Sequence, residues 1–143
     1  MKTAHILLVE DNPGDILLTT EALNEKKFIN KVSVVKNGVE ALNFIFKRGA
    51  FEAEETPDLI LLDINLPLKN GHEVLAEIKT REETQKIPVI VLTTSSDRRD
   101  IEKAYEQHVN CFITKPIDIT EFIEAIAKIE AFWIQLVKLP TIP

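Results

Sequence analysis

Residues 59–67 read LILLDINLP: four apolar residues, an aspartate, and a loop that closes on proline. Leu59 through Leu62 have the length and composition of a buried strand, so Asp63 stands where that strand stops. The same step occurs earlier, where ILLVED runs from Ile6 into Glu10 and Asp11. An ionised carboxylate beside a hydrophobic layer is costly unless something compensates it. What compensates these three acids decides what the chain can do.

Working outward, short apolar runs alternate with longer segments of helical periodicity. Residues 5–9 (HILLV), 32–36 (VSVVK), 58–62, 89–93 (VIVLT) and 110–114 (NCFIT) predict strands. Segments 14–27, 38–47, 71–80, 97–108 and 119–137 predict helices, with 49–57 an acidic loop. Asn12-Pro13-Gly14 opens the first helix, and Asp118 and Glu121 have the spacing of a capping box before the last. Strands apolar on both faces and alternating with helices imply a parallel sheet covered on both sides. Right-handed crossovers and five βα units predict a flavodoxin-like, doubly wound (βα)5 α/β fold with strand order 2-1-3-4-5. No repeat or linker divides the chain, so residues 1–143 are expected to form one domain.

Such folds bind ligands at the carboxyl ends of the strands, where the strand order reverses. Between the first and third strands, that point would gather Glu10, Asp11 and Asp63. Thr93 and Lys115 end the fourth and fifth strands beside it. Two carboxylates about 4 Å apart repel by roughly 4 kcal/mol in a partly buried site. Lys115 supplies one counter-charge, and a hard divalent cation such as Mg²⁺ is the natural complement. A cation and an ammonium converging on one crevice would clamp a phosphoryl group, and Asp63 could then attack phosphorus.

Composition narrows the classes. The chain has 143 residues, is 45% hydrophobic and 28% charged, and carries a net charge of −6. That charge offers no electrostatic footprint for nucleic acid. No apolar run approaches the roughly 20 residues of a membrane span, and acids straight after a short apolar start argue against a signal peptide. One cysteine, Cys111, excludes an internal disulfide and a CxxC site. Cytoplasm is the expected compartment.

VEDN, LLDINLPLKNG, VLTTSS and CFITKP resemble, in order and spacing, the hallmark segments of two-component response-regulator receiver domains. By that resemblance Asp63 is the phosphoacceptor and Asp11 a direct ligand of Mg²⁺ or Mn²⁺. Glu10 is the second pocket acid and Asn65 gives the metal its backbone carbonyl. Thr93 and Lys115 are the phosphate-sensing hydroxyl and lysine, Thr94 stands at the phosphoryl site where many receivers carry alanine or glycine, Phe112 is the aromatic switch, and Pro116 follows a cis peptide bond. The partners implied are a sensor histidine kinase or phosphotransfer protein and a downstream protein target. Within receivers, VEDNPGD, VNCFITKPID and the C-terminal IEAFW are similar to the small stand-alone regulators partnered with cyanobacterial phytochromes.

Blander readings stand beside these. Asp63 could cap a turn, Glu10-Asp11 could open a loop, Thr93-Thr94 could cap a helix, and Phe112 could be core. His5, His72 and His108 are scattered, which suits ordinary roles. DINLPLKNGHEV is no EF-hand loop, because Pro67 and Leu68 fall where ligand and glycine belong and Val74 replaces the closing glutamate. The last helix shows Phe122, Ile126, Phe132 and Trp133 on a broad apolar surface: either a longer cover for its own sheet, or a homodimer face of helix 4, strand 5 and helix 5. No output domain fits after residue 143, so the signal is expected to leave by protein–protein contact. The rivals are a haloacid-dehalogenase-type phosphatase, disfavoured because Glu10-Asp11-Asn12 stands where that family has DxD, and a phosphate-independent interaction module.

Overall fold

Side-chain alternation along five strands builds this molecule. The structure, a computed structural model, describes residues 4–24, 29–93, 102–103, 106, 109, 111–115, 118, 120–122 and 124. Strands β1 (Ala4–Val9), β2 (Ile29–Val35), β3 (Leu59–Asp63), β4 (Val89–Thr93) and β5 (Cys111–Thr114) form one sheet in the order β2-β1-β3-β4-β5. Every neighbouring pair is parallel. This is the flavodoxin-like order that the pattern predicts.

Successive residues of a strand face opposite sides of the sheet. Leu7, Val9, Ile60, Leu62 and Val91 point one way, into a core shared with α2 (Gly38–Ile45) and α3 (Gly71–Thr80). Ile6, Leu8, Leu61, Leu92 and Ile113 point the other way, toward Leu23 of α1 (Pro13–Asn24) and Phe122. Each fully buried Leu or Ile is worth roughly 1.5–3 kcal/mol, so the pleat is strongly held in register. Glu10, Asp63 and Lys115 each follow a residue of the second set by two positions. The same alternation therefore carries all three to the α1 face at the carboxyl edge.

Helix starts fix the loop behind Asp63. KNGVEAL (36–42) and KNGHEVL (69–75) begin α2 and α3 alike. Asn37 accepts the Glu40 amide at 2.8 Å, and Asn70 and Glu73 close a full capping box. A Cβ on Gly71 would lie 2.6 Å from both the Asp63 carbonyl oxygen and the Ile64 Cα, and one on Gly38 would overlap the Lys69 carbonyl. Two side-chain-free helix starts thus let residues 64–70 pass between helices and strand.

Some boundaries differ from the sequence expectation. β2 starts at Ile29 rather than 32, because pairing with β1 recruits polar residues (His5 opposite Lys31) that the apolar pattern passes over. The acidic loop contains a 3₁₀ turn, Gly49–Phe51, whose Phe51 ring tilts on Phe44 at 5.4 Å. Asp118 does cap the last helix, accepting the amides of Thr120 and Glu121 at 2.7 and 3.2 Å. Phe122 requires a correction: it is fully buried in the α1-side core and cannot belong to a dimer face. Most of the helices expected over 97–108 and 119–137 lies outside the described residues. So do Thr94, Pro116, Ile126, Phe132 and Trp133.

At the opposite edge His5 is buried, its Nε2 2.8 Å from the Ser33 hydroxyl, with Nδ1 lacking a hydrogen-bond partner. Burial, then the Lys31 charge, lowers its pKa, against smaller upward pulls from Asp58, Glu54 and Glu55. A folded-state pKa below the unfolded value means the unfolded chain takes the proton first. Stability held by neutral His5 is thus complete above about pH 6.5 and declines as pH falls below it. Urea unfolding at pH 7.5 and 5.5 should show a larger acid loss for the wild type than for His5→Gln. Gly71→Ala should lower stability by about 1–3 kcal/mol in the same assay, through forced displacement of the 63–64 backbone.

Candidate functional site

Glu10 and Asp63 are buried acids, 1% and 3% exposed, where the surroundings would ordinarily expel charge. Three devices keep them. The Glu10 Oε2 accepts the amides of Asp11 and Asn12 at 3.1 and 3.2 Å. The Asp63 Oδ1 accepts the Asn65 amide at 3.0 Å. Lys115, half-buried but with its side chain only 7% exposed, donates from Nζ to Glu10 Oε1 and to Asp63 Oδ2 at 3.2 Å. A third bond from the same ammonium reaches Asp15 Oδ2 at 3.1 Å.

The electrostatics follow from that sharing. Burial raises the Glu10 pKa to about 7, with the nearby Asp63 adding to it while Lys115 and the Asn12 amide pull down. For Lys115, burial opposes the charge, yet Glu10, Asp63 and Asp15 outweigh it and the net shift is upward. The ammonium is a fixed cation, and the carboxylates around it exceed its charge.

That excess fits a metal. Glu10, Asp11 and Asp63 each offer a carboxylate oxygen, and these oxygens lie within 4.8 Å of one another. An octahedral Mg²⁺ with ligands at about 2.1 Å would space its oxygens roughly 3.0–4.2 Å apart, so a small closure completes the set. Asp11, unlike the other two, is exposed and can move. All three line an open cavity of about 380 Å³ with Asn12, Pro13, Asp15, Asn65 and Lys115. A second hollow, about 500 Å³, continues from Asp11 and Asn65 to Asn70 and His72.

Comparison with known proteins agrees with this arrangement. Residues 6–127 match the model of the response regulator receiver domain. The chain belongs to the receiver family of response regulators. This receiver is 42% identical over 135 residues to response regulator Rcp1 of Synechocystis sp., covering 94% of this chain and 92% of Rcp1. It is similar in structure to the phosphorylated cyanobacterial phytochrome response regulator RcpA, with TM-score 0.80, 43% identity, and coverage of 97% and 99%. It also resembles the Mn²⁺-bound form of Rcp1, with TM-score 0.75, 38% identity, and coverage of 98% and 97%. The receiver is thus a response regulator of two-component signalling, a class that interacts with histidine kinases or phosphotransfer proteins. No helix among the described residues is long and apolar enough to cross a membrane.

Of the residues singled out by sequence, Glu10, Asp11, Asp63, Asn65 and Lys115 line one cavity. Thr93 ends β4 opposite Thr114, described by its backbone alone. Phe112, on β5, is partly buried against the α2–α3 core, on the opposite face of the sheet from Lys115, which follows that strand. Asp15 was missed. Its signal was its place in the first turn of α1, the helix that starts at the same edge just after Glu10-Asp11.

Removing the ammonium should leave Glu10 and Asp63 buried together without a counter-charge. Lys115→Met is expected to lose about 2–3 kcal/mol of stability at pH 7.5 in EDTA, with part recovered on adding a divalent cation, as read by urea unfolding.

Proposed function

We propose that residues 1–143 act as one receiver domain that takes a phosphoryl group on Asp63. The observation carrying this reading is the single ammonium of Lys115 bonded to Glu10 and Asp63 at the edge of an open, acid-lined cavity. Glu10, Asp11 and Asp63, with the Asn65 carbonyl, would hold Mg²⁺ or Mn²⁺. When bound, the ion supplies charge neutralisation to the phosphoryl oxygens.

The chain's own residues do the rest. An Asp63 carboxylate oxygen attacks phosphorus of a phosphohistidine on a sensor kinase or phosphotransfer protein. A P–O bond forms, the P–N bond breaks, and the electron pair leaves on the imidazole nitrogen. Lys115 and the hydroxyl of Thr93 then bind phosphoryl oxygens, with Thr94 next to them in the chain, and Phe112 reports the change at the β5 surface. Two and three residues beyond Asp15, Leu17 and Leu18 are 58% and 53% exposed, an apolar foothold on α1 for the donor protein. The domain is a phosphoacceptor in the cytoplasm rather than an enzyme acting on free substrates, and it signals to a downstream protein by contact. A homodimer through helix 4, strand 5 and helix 5 is compatible with this output.

Acetyl phosphate with Mg²⁺ should add one phosphate to the intact mass, and Asp63→Asn or EDTA should abolish it. Equal labelling of Asp63→Asn would transfer the acceptor role elsewhere. Turnover of a generic phosphate ester would favour the phosphatase reading; none is expected.

A further inference from the structure

Among the described residues, Asp15 is the charged residue of the cavity without an assigned part. Its place at the third position of α1 has a bland explanation, since acids suit a helix amino terminus. A capping-box acid would turn back to the amide of the cap residue. Glu73 does this for Asn70 at 3.2 Å. The Asn12 amide is instead spent on Glu10, and the Asp15 carboxylate crosses to Lys115, 100 residues away in sequence, at 3.1 Å.

An ammonium has three N–H donors. In this structure they go to Glu10, Asp63 and Asp15. A phosphoryl group on Asp63 presents several oxygens, each seeking charge-assisted donors. Of the three acceptors, Glu10 is locked by burial and two backbone amides. Asp15 is the one whose side chain is 28% exposed, against 1% for Glu10 and 5% for Asp63. It alone can exchange Lys115 for water at small cost.

We propose that Asp15 is a positioning residue for phosphotransfer: it competes with the incoming phosphoryl group for the Lys115 ammonium and so restrains the rate at which Asp63 is phosphorylated. The inference rests on the reading of Asp63 as acceptor. With acetyl phosphate, the Asp63 oxygen bonds to phosphorus while the acetyl C–O–P bond breaks on the phosphorus side, and acetate departs with the electron pair. Asp15 takes no part in the bonds exchanged. It acts through Lys115 and through its own negative charge at the mouth.

The test measures phosphorylation by intact mass over a range of acetyl phosphate concentrations at fixed Mg²⁺, for wild type, Asp15→Asn and Asp15→Glu. Asp15→Asn should raise the rate at limiting donor about fivefold, the equivalent of one partly screened ion pair. The gain should shrink in high salt, and Asp15→Glu should return the rate to near the wild-type value. An unchanged or slower Asp15→Asn with wild-type unfolding behaviour would overturn the proposal, as would equal acceleration by Asp15→Glu. Failure of the wild type itself to take phosphate would instead overturn the acceptor assignment, and is read separately in the same experiment.

Discussion

One ammonium holding buried carboxylates at the carboxyl edge of a sheet is the constraint from which the rest can be understood. Burying Glu10 and Asp63 beside a leucine-rich layer is expensive, and among the described residues the one positive charge of Lys115 does not match the acids around it. The imbalance is built in by the backbone. β1 and β3 are neighbours in the sheet, so their terminal acids meet whatever the side chains prefer. Such a site is a standing demand for more positive charge, and a pocket of this kind stores readiness rather than stability.

The pleat is what makes the demand specific. A one-residue slip of β3 would send Asp63 to the α2–α3 side and bring Leu62 to the edge. Leucines and isoleucines on both faces prohibit that slip, so the apolar runs are as much part of the site as the acids. Gly71 and Gly38 contribute by subtraction. The loop leaving Asp63 can double back only because no Cβ occupies the space of its carbonyls.

Much of this is legible in the chain itself. Apolar runs ending in Glu10-Asp11, Asp63 and Lys115 disclose both the parallel sheet and the edge where the charges meet, since length and alternation carry that information locally. α3 and β4 have the bounds that periodicity predicts, Gly71–Thr80 and Val89–Thr93. What escaped depends on pairing between distant segments. The early start of β2 comes from its register with β1, the burial of Phe122 from where its helix docks, and the use of Asp15 from a lysine 100 residues on. An acid in a first helical turn reads as dipole compensation until its partner is known.

Counting lone pairs explains why the site can hold an ion and an ammonium together. Each carboxylate oxygen can accept two hydrogen bonds or metal contacts. Glu10 Oε2 is held by backbone amides and Oε1 by Lys115; Asp63 Oδ1 is held by the Asn65 amide and Oδ2 by Lys115. Asp63 keeps capacity on both oxygens, while the two amides occupy one side of Glu10. Asp11, which donates its amide to Glu10, is the exposed member of the set. Asp11 and Asp63 would therefore offer a divalent cation free acceptor capacity, and Glu10 would offer it only at the oxygen it shares with Lys115. The ammonium thus takes the buried side of Asp63 and leaves the open side, lined by Asp11 and Asn65, where a second positive charge would be held.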